Sequence, residues 1–274
     1  MKNGMSFNGV HSSTLAGVTA RTRDRPVMPA PKMAAYEADN MSGDIDFTDY
    51  TGITYYQNRT VAVDFQIAGK SLGDLQNKIN AVMMWCRGKG QIIFDDIPAV
   101  IWIGRVSDSV SYLPEHGGQS AVLSVSFLCE PFTRFLHDAF DGVKLGDKIP
   151  IGSMFKLGAP QHYTIGPSAF GMAQVIDILG DVPVMPILKK TTTGVWSVTI
   201  DNGLGTQTFR CTQTAKTTLD CVKKQIYGED GTNYMPYMTG DFIMLTPGDN
   251  TIISTSQTFE LHYTPLYLYN GGLS

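Results

Sequence analysis

The sequence is short of charge. Asp, Glu, Lys and Arg make up 17% of its 274 residues, a thin coat for the surface of a lone soluble chain. Thr, Ser, Asn, Gln and Gly fill the gap, which suits a β-rich protein that hides surface in an assembly. A basic excess is missing too. The formal net charge is −4, so the electrostatic footprint of a nucleic-acid binder is absent. No apolar run reaches the length of about eighteen residues that a membrane-spanning helix needs. The opening MKNGMSFNGV lacks the apolar stretch of a secretory leader, so synthesis in a reducing cytoplasm is expected. The four cysteines include no C-x-x-C pair, which removes the usual zinc and thioredoxin signatures. Cys86 and Cys129 lie in apolar runs and read as buried thiols. Cys211 and Cys221 leave open a bridge between adjacent strands.

Motifs that carry chemistry fail where the chemistry needs them. In VDFQIAGKSLGDL a strand-like run, Gly69-Lys70-Ser71 and a helix follow in the order of a phosphate-binding loop. That loop requires G-x-x-x-x-G-K-[ST], and Asp64, a carboxylate, stands where the first Gly must be. Gly166-Pro167-Ser168-Ala169-Phe170 grazes a nucleophile elbow, but Phe170 replaces the second small residue of its tight turn. Asp44, Asp46 and Asp49 mimic a calcium loop until Thr48 takes a liganding position, with no Gly or distal Glu after it. The histidines, His11, His116, His137, His162 and His262, show no H-x-x-x-H or H-E-x-x-H spacing, so any metal set would have to gather in space. The chain is therefore read as a non-enzyme without a cofactor or metal. Trp196 alternates with Val198 and Ile200, which places it in a core rather than on a sugar-binding platform.

What is present is β patterning. Residues 7–35 read as a short strand, a turn and an irregular linker broken by Pro26, Pro29 and Pro31. Val61, Val63, Phe65 and Ile67 mark a half-buried strand over 60–67. Ser71 and Asp74 open a helix over about 72–87, with Leu75, Ile79, Val82, Met83 and Cys86 on one face and Gly88 as the stop. Gln91–Phe94 is a short strand, and Val100–Ile103 an apolar run fit for burial on both faces. In SAVLSVSFLC the residues Ala121, Leu123, Val125, Phe127 and Cys129 share one face. A sheet carrying one helix makes an α+β layer. Beyond about 138, short runs (VIDIL, VWSVTI, TFRC, TLDCV, FIML, TIIS, TFELHY) separated by turn formers predict an all-β sandwich. The boundary falls near 134–142, giving domains 1–137 and 138–274.

Residues 36–58 stand apart: five aromatics, five acids and no Lys or Arg. As a hairpin, each leg of about ten residues would reach roughly 33 Å. A lone two-stranded hairpin is marginal in water, so its aromatics Tyr36, Phe47, Tyr50, Tyr55 and Tyr56 need a neighbour to cover them.

The order of these pieces resembles a family. FNGVHSS at the start, Gly43-Asp44-Ile45-Asp46 leading to the Arg-headed strand Asn58-Arg59-Thr60-Val61-Ala62-Val63, the run WCRGKG then QIIFDD, the strand pair ending in FLCEPF, and Gly240-Asp241-Phe242 with Leu245, Pro247, Gly248, Asn250 and Ile252 are similar to the distal tail proteins (Dit) of long-tailed, non-contractile phages. The stretch from about 142 to 235 matches only loosely. The resemblance implies a mainly β fold: an N-terminal β-sandwich or barrel-like domain with one helix and a long hairpin arm, then a galectin-like β-sandwich. It implies a structural virion protein at the tail tip, assembled in the host cytoplasm. Six copies would form a ring joining the tail tube to tail-tip and receptor-binding proteins around a channel for DNA. Tyr36, Phe47, Tyr50, Tyr55, Tyr56 and Arg59 are the expected subunit interface, with the arm lying on the adjacent subunit. The galectin sugar-contact pattern of His, Asn, Arg, Trp and Glu is not evident. Two other readings stay open: a carbohydrate-binding adhesion module and a tail-tip hydrolase.

Overall fold

A computed structural model describes residues 4–37, 39, 42–108, 110–115, 119–135, 162–167 and 173–268. The chain divides into two compact units, Met1–Leu136 with Leu268–Ser274, and His137–Tyr267. The domain boundary expected near 134–142, together with His137, His116 and the Ser168–Phe170 end of the elbow-like motif, falls largely outside the described residues.

The first unit holds strands β1 (Met5–Phe7), β2 (Val10–His11), β3 (Val18–Asp24), β4 (Ala35–Glu37), β5 (Asp44–Asp46) and β6 (Arg59–Ala68), helix α1 (Leu72–Trp85), and strands β7 (Lys89–Phe94), β8 (Ile97–Val106), β9 (Ser111–Glu115), β10 (Ser120–Cys129) and β11 (Arg134–Phe135). Its main sheet runs β2-β1-β7-β8-β10-β6-β3, with β9 beside β10 and β11 beside β8. FNGVH owes its pattern to a tight turn. Asn8 and Gly9 both have positive φ, 50° and 78°, and Phe7 pairs with Val10 across them. This is the two-residue hairpin for which Asn-Gly is suited. The Asn8 side chain also accepts from the Gln91 amide at 2.9 Å. His11 reaches Asp95 at 2.9 Å and Ser13 at 2.7 Å.

Strands β6 and β10 pair over ten residues, Ala68 with Ser120 through Arg59 with Cys129. Their alternating residues Val61, Val63, Phe65, Ile67, Ala121, Leu123, Val125 and Phe127 are all buried in one core. α1 lies on these two strands. Ser71 caps it, its hydroxyl accepting from the Asp74 amide at 3.3 Å while Asp74 accepts from the Lys70 amide at 2.8 Å. Leu75, Val82 and Cys86 face the core, with Ile79 and Met83 partly buried beside them. So Gly69-Lys70-Ser71 is a strand end and a helix cap, and Asp64 sits in the β6 ladder bonded to Ser124 at 2.8 Å. Gly88, φ 86°, turns the chain after the helix.

The reading of residues 7–35 as largely irregular missed β3, which pairs with β6 from Val18 to Asp24. This is the last strand of the sheet path. Its Arg21, Arg23 and threonines mask the apolar alternation, as edge strands tend to do.

The second unit is a sandwich of two five-stranded antiparallel sheets. Its strands are β12 (His162–Ile165), β13 (Gln174–Ile178), β14 (Ile187–Lys190), β15 (Trp196–Asp201), β16 (Thr206–Cys211), β17 (Thr217–Asp220), β18 (Gln225–Gly228), β19 (Met238–Gly240), β20 (Gly248–Thr255) and β21 (Phe259–His262). One sheet runs β12-β21-β14-β17-β18 and the other β13-β20-β15-β16-β19. Leu188, Leu219, Ile226 and Leu261 from the first meet Ile176, Val198, Ile200, Phe209 and Ile252 from the second in one core. Trp196 is fully buried against Phe209, ring centroids 4.9 Å apart, as its alternation predicted. FIML, expected as a strand, instead makes a single bridge, Leu245 to Val184. Its Ile243 and Leu245 still fill the core. All four cysteines are buried thiols, and Cys211 is not bridged to Cys221. Burial pushes Cys86, Cys129 and Cys221 up to about 12.

Candidate assembly surface

The excursion at 36–58 is a folded-over loop rather than two ten-residue legs. At its tip β4 and β5 pair over three residues, Ala35 with Asp46 to Glu37 with Asp44. At its root Lys32 donates to the Tyr55 carbonyl at 2.7 Å, Gln57 to Ala30 at 2.8 Å, and Pro31 bridges to Tyr56. Between them the second leg breaks into turns. Asp46 accepts from the Thr48 amide at 2.8 Å, Tyr50 bonds back to Phe47, Gly52 to Asp49, and Asp49 takes the Thr54 hydroxyl at 2.6 Å. Of the acids that mimic a calcium loop, Asp46 and Asp49 are thus turn formers and Asp44 pairs in β5. Hydrogen bonds from Thr48 hold the Asp46 carboxyl below its ordinary range.

The bulge carries apolar side chains that this subunit leaves in water. Lys32, Met33, Ala34, Phe47, Thr48, Tyr50, Thr51 and Tyr55 line an open cavity of about 650 Å³. Tyr36 is 64% exposed and Tyr50 84%, with Met33, Phe47 and Tyr55 also exposed. So many large apolar groups on one segment form the kind of patch that marks a contact surface.

Two of the six residues assigned to this surface are placed differently. Tyr56 is half-buried and packs edge-on against Phe132 at 5.8 Å. Arg59 is 2% exposed. Its guanidinium donates to the carbonyls of Pro131 at 2.7 Å and Val27 at 3.0 Å, and burial lowers its pKa to about 10. Both anchor the root of the arm within their own subunit. The residues of the expected set that stay exposed are Tyr36, Phe47, Tyr50 and Tyr55, and Met33, which precedes the aromatic segment, is exposed beside them. Its exposure was not legible because a Met in a proline-rich linker carries no periodic signal.

Among the described residues no helix is long and apolar enough to cross a membrane. No curated protein matches the sequence. The phage tail protein RIFT-related domain family matches residues 36–129. Among solved structures, the crystal structure of Dit from phage SPP1, titled a paradigm of hub adsorption apparatus in phages infecting Gram-positive bacteria, aligns over 97% of this chain and 99% of its own. The identity is 17% and the TM-score 0.66. A chain of the phage P2 baseplate in its activated conformation with Ca aligns over 91% of both chains, at 12% identity and a TM-score of 0.37. Among the described residues both units show the mainly β fold that the sequence led one to expect. The protein has the fold of SPP1 Dit, and its residues 36–129 are similar to the phage tail protein RIFT-related domain family, in keeping with the siphophage tail family that its sequence resembles.

Proposed function

We propose that the protein is a structural hub of a phage tail tip. Six copies close into a ring that joins the tail tube to tail-tip and receptor-binding proteins and leaves a channel for DNA. The domains are 1–137, which forms the ring, and 138–274, a galectin-like sandwich. The observation that carries this reading is the exposed aromatic set Tyr36, Phe47, Tyr50 and Tyr55 on a loop that cannot cover it, within a fold shared end to end with SPP1 Dit. Laid on the next subunit, the arm makes a heterologous contact that closes when the rotation fits. Obligate contacts of this kind bury more than about 2,000 Å². A net charge of −4 per chain suits a duct through which phosphates must pass without sticking. The glycan-binding alternative loses its platform, since Trp196 is fully buried.

The test is a deletion of residues 40–54. Wild-type protein is expected to give annular particles by negative-stain microscopy and a hexamer mass by light scattering. The deletion is expected to give folded monomers with an unchanged far-ultraviolet circular dichroism shape. Rings that persist without the arm would overturn its role, and a wild type that is monomeric at all concentrations would overturn the hub.

A further inference from the structure

We propose that His162, Glu260 and His262 form a site for a divalent zinc-like cation on the outer face of the second unit. β12 and β21 pair antiparallel with His162 directly opposite His262. Glu260 lies two residues before His262 on the same strand, so its side chain emerges on the same face. The intervening Leu261 and the preceding Phe259 point into the core, fully buried. The three side chains themselves are half-buried or exposed. The imidazole rings lie 4.3 Å apart and nearly parallel, inclined by 30°. The Nε2 atom of His262 is 3.4 Å from a Glu260 oxygen. One ligand atom from each residue falls within 4.8 Å of the others.

The donor chemistry selects the ion. Two imidazoles and one carboxylate suit zinc and its first-row neighbours, whereas calcium and magnesium want shells of oxygen. Tetrahedral zinc with bonds of about 2.0–2.2 Å sets its ligand atoms about 3.3 Å apart. Closing from 4.8 Å to that spacing needs only rotamer changes in side chains that lie outside the core. Water takes the fourth position. Lys189 of β14 pairs directly across from Glu260 and is exposed. Its ammonium competes for the carboxylate and holds affinity down. Among the described residues β12 ends its sheet, so the ion staples that strand to its neighbour and binds the folded state alone. With free zinc a hundredfold above Kd, the folded-to-unfolded ratio rises about a hundredfold.

The full-length chain, freed of any affinity tag and stripped with a chelator, is titrated with zinc against a chromogenic competitor. Cobalt substitution reads the geometry through its visible absorption. One saturable equivalent per chain is expected, with a tetrahedral cobalt spectrum and a higher melting temperature. H162N and H262N should each weaken binding by at least about tenfold, and K189M should strengthen it. H11N, at the other histidine-carboxylate pair, should change nothing. Absence of saturable binding overturns the site. So does binding that survives either H162N or H262N.

Discussion

At the scale of single residues, arginines decide how the irregular N-terminal stretch is held. Arg25 lies over Phe94 and Trp102, 4.8 Å and 5.4 Å from their ring centres. It also grips Asp96 with both terminal nitrogens, at 3.0 Å and 2.6 Å. That hydrogen bonding holds the Asp96 carboxyl below its ordinary range. A carboxyl depressed in the folded state adds stability above its unfolded pKa of about 3.9, and that stability fades as pH falls through the folded value. Because Asp96 is well exposed, the pair is worth about 0.5–1 kcal/mol. D96N is therefore expected to melt below wild type at neutral pH and to converge with it once the pH has fallen through the lowered folded-state pKa of Asp96. Thermal scans across that range check it, and a gap that widens in acid would contradict the pairing. Nothing in the sequence marks Arg25 against Arg21 or Arg23, because the aromatic rings it covers lie some seventy residues on. His162, Glu260 and His262 were hidden for the same reason: pairing register gathers them, and no short spacing records it. Only the Glu-Leu-His alternation at 260–262 hints that two of them share a face.

Among the elements, legibility followed the strength of the periodic signal. β6, α1 and β10 are buried on one face and solvated or paired on the other, so apolar spacing alone located them. β3 and the arm lack such a face. In the arm, side chains of Asp46 and Asp49 form turns that compete with the ladder, which shortens the strands to three residues. The motif Gly240-Asp241-Phe242 has an equally local cause. Gly240 pairs with Phe209 at φ 91°, and the Asp241 amide donates to the Thr208 carbonyl at 2.8 Å while its carboxylate accepts from the Thr208 amide at 3.3 Å. A Cβ at Gly240 would run into that carbonyl oxygen. Gly231, φ 81°, has open space around the same atom. G231A is thus expected to cost about 1–2 kcal/mol, the strain of the backbone alone. G240A adds a steric clash and should cost clearly more, about 3 kcal/mol. Urea titrations of the two variants make the comparison, and equal losses would deny that the close approach matters.

For the whole molecule, the proposed association draws on residues other than those that hold the fold. Two separate apolar cores hold the units, and the arm contributes to neither. A triple substitution of Phe47, Tyr50 and Tyr55 to Ser is expected to leave the melting temperature of the isolated chain within about 1–2 °C of wild type, since exposed changes seldom exceed 0.5 kcal/mol. The same variant should lose the hexamer in sedimentation velocity at concentrations where wild type is fully assembled. A melting temperature that drops sharply would mean that the loop supports its own subunit. One that stays put while rings still form would move the contact elsewhere. That this segment stays out of the cores was readable in outline, because aromatics crowded into a segment without apolar periodicity have no core to fill. The anchoring of its root by Tyr56 and Arg59 was not, because it depends on Phe132 and the Pro131 carbonyl far along the chain.

The sealed thiols bear on durability. On the proposed tail-tip role, the protein works outside any reducing compartment and faces oxidants there. Cys86, Cys129, Cys211 and Cys221 lie behind packed walls, and three of them stay protonated at any pH a soil or broth would offer. Such sulfurs are poor nucleophiles and poor targets for oxidation, so purified protein is expected to age without cross-linking and to dispense with added reductant.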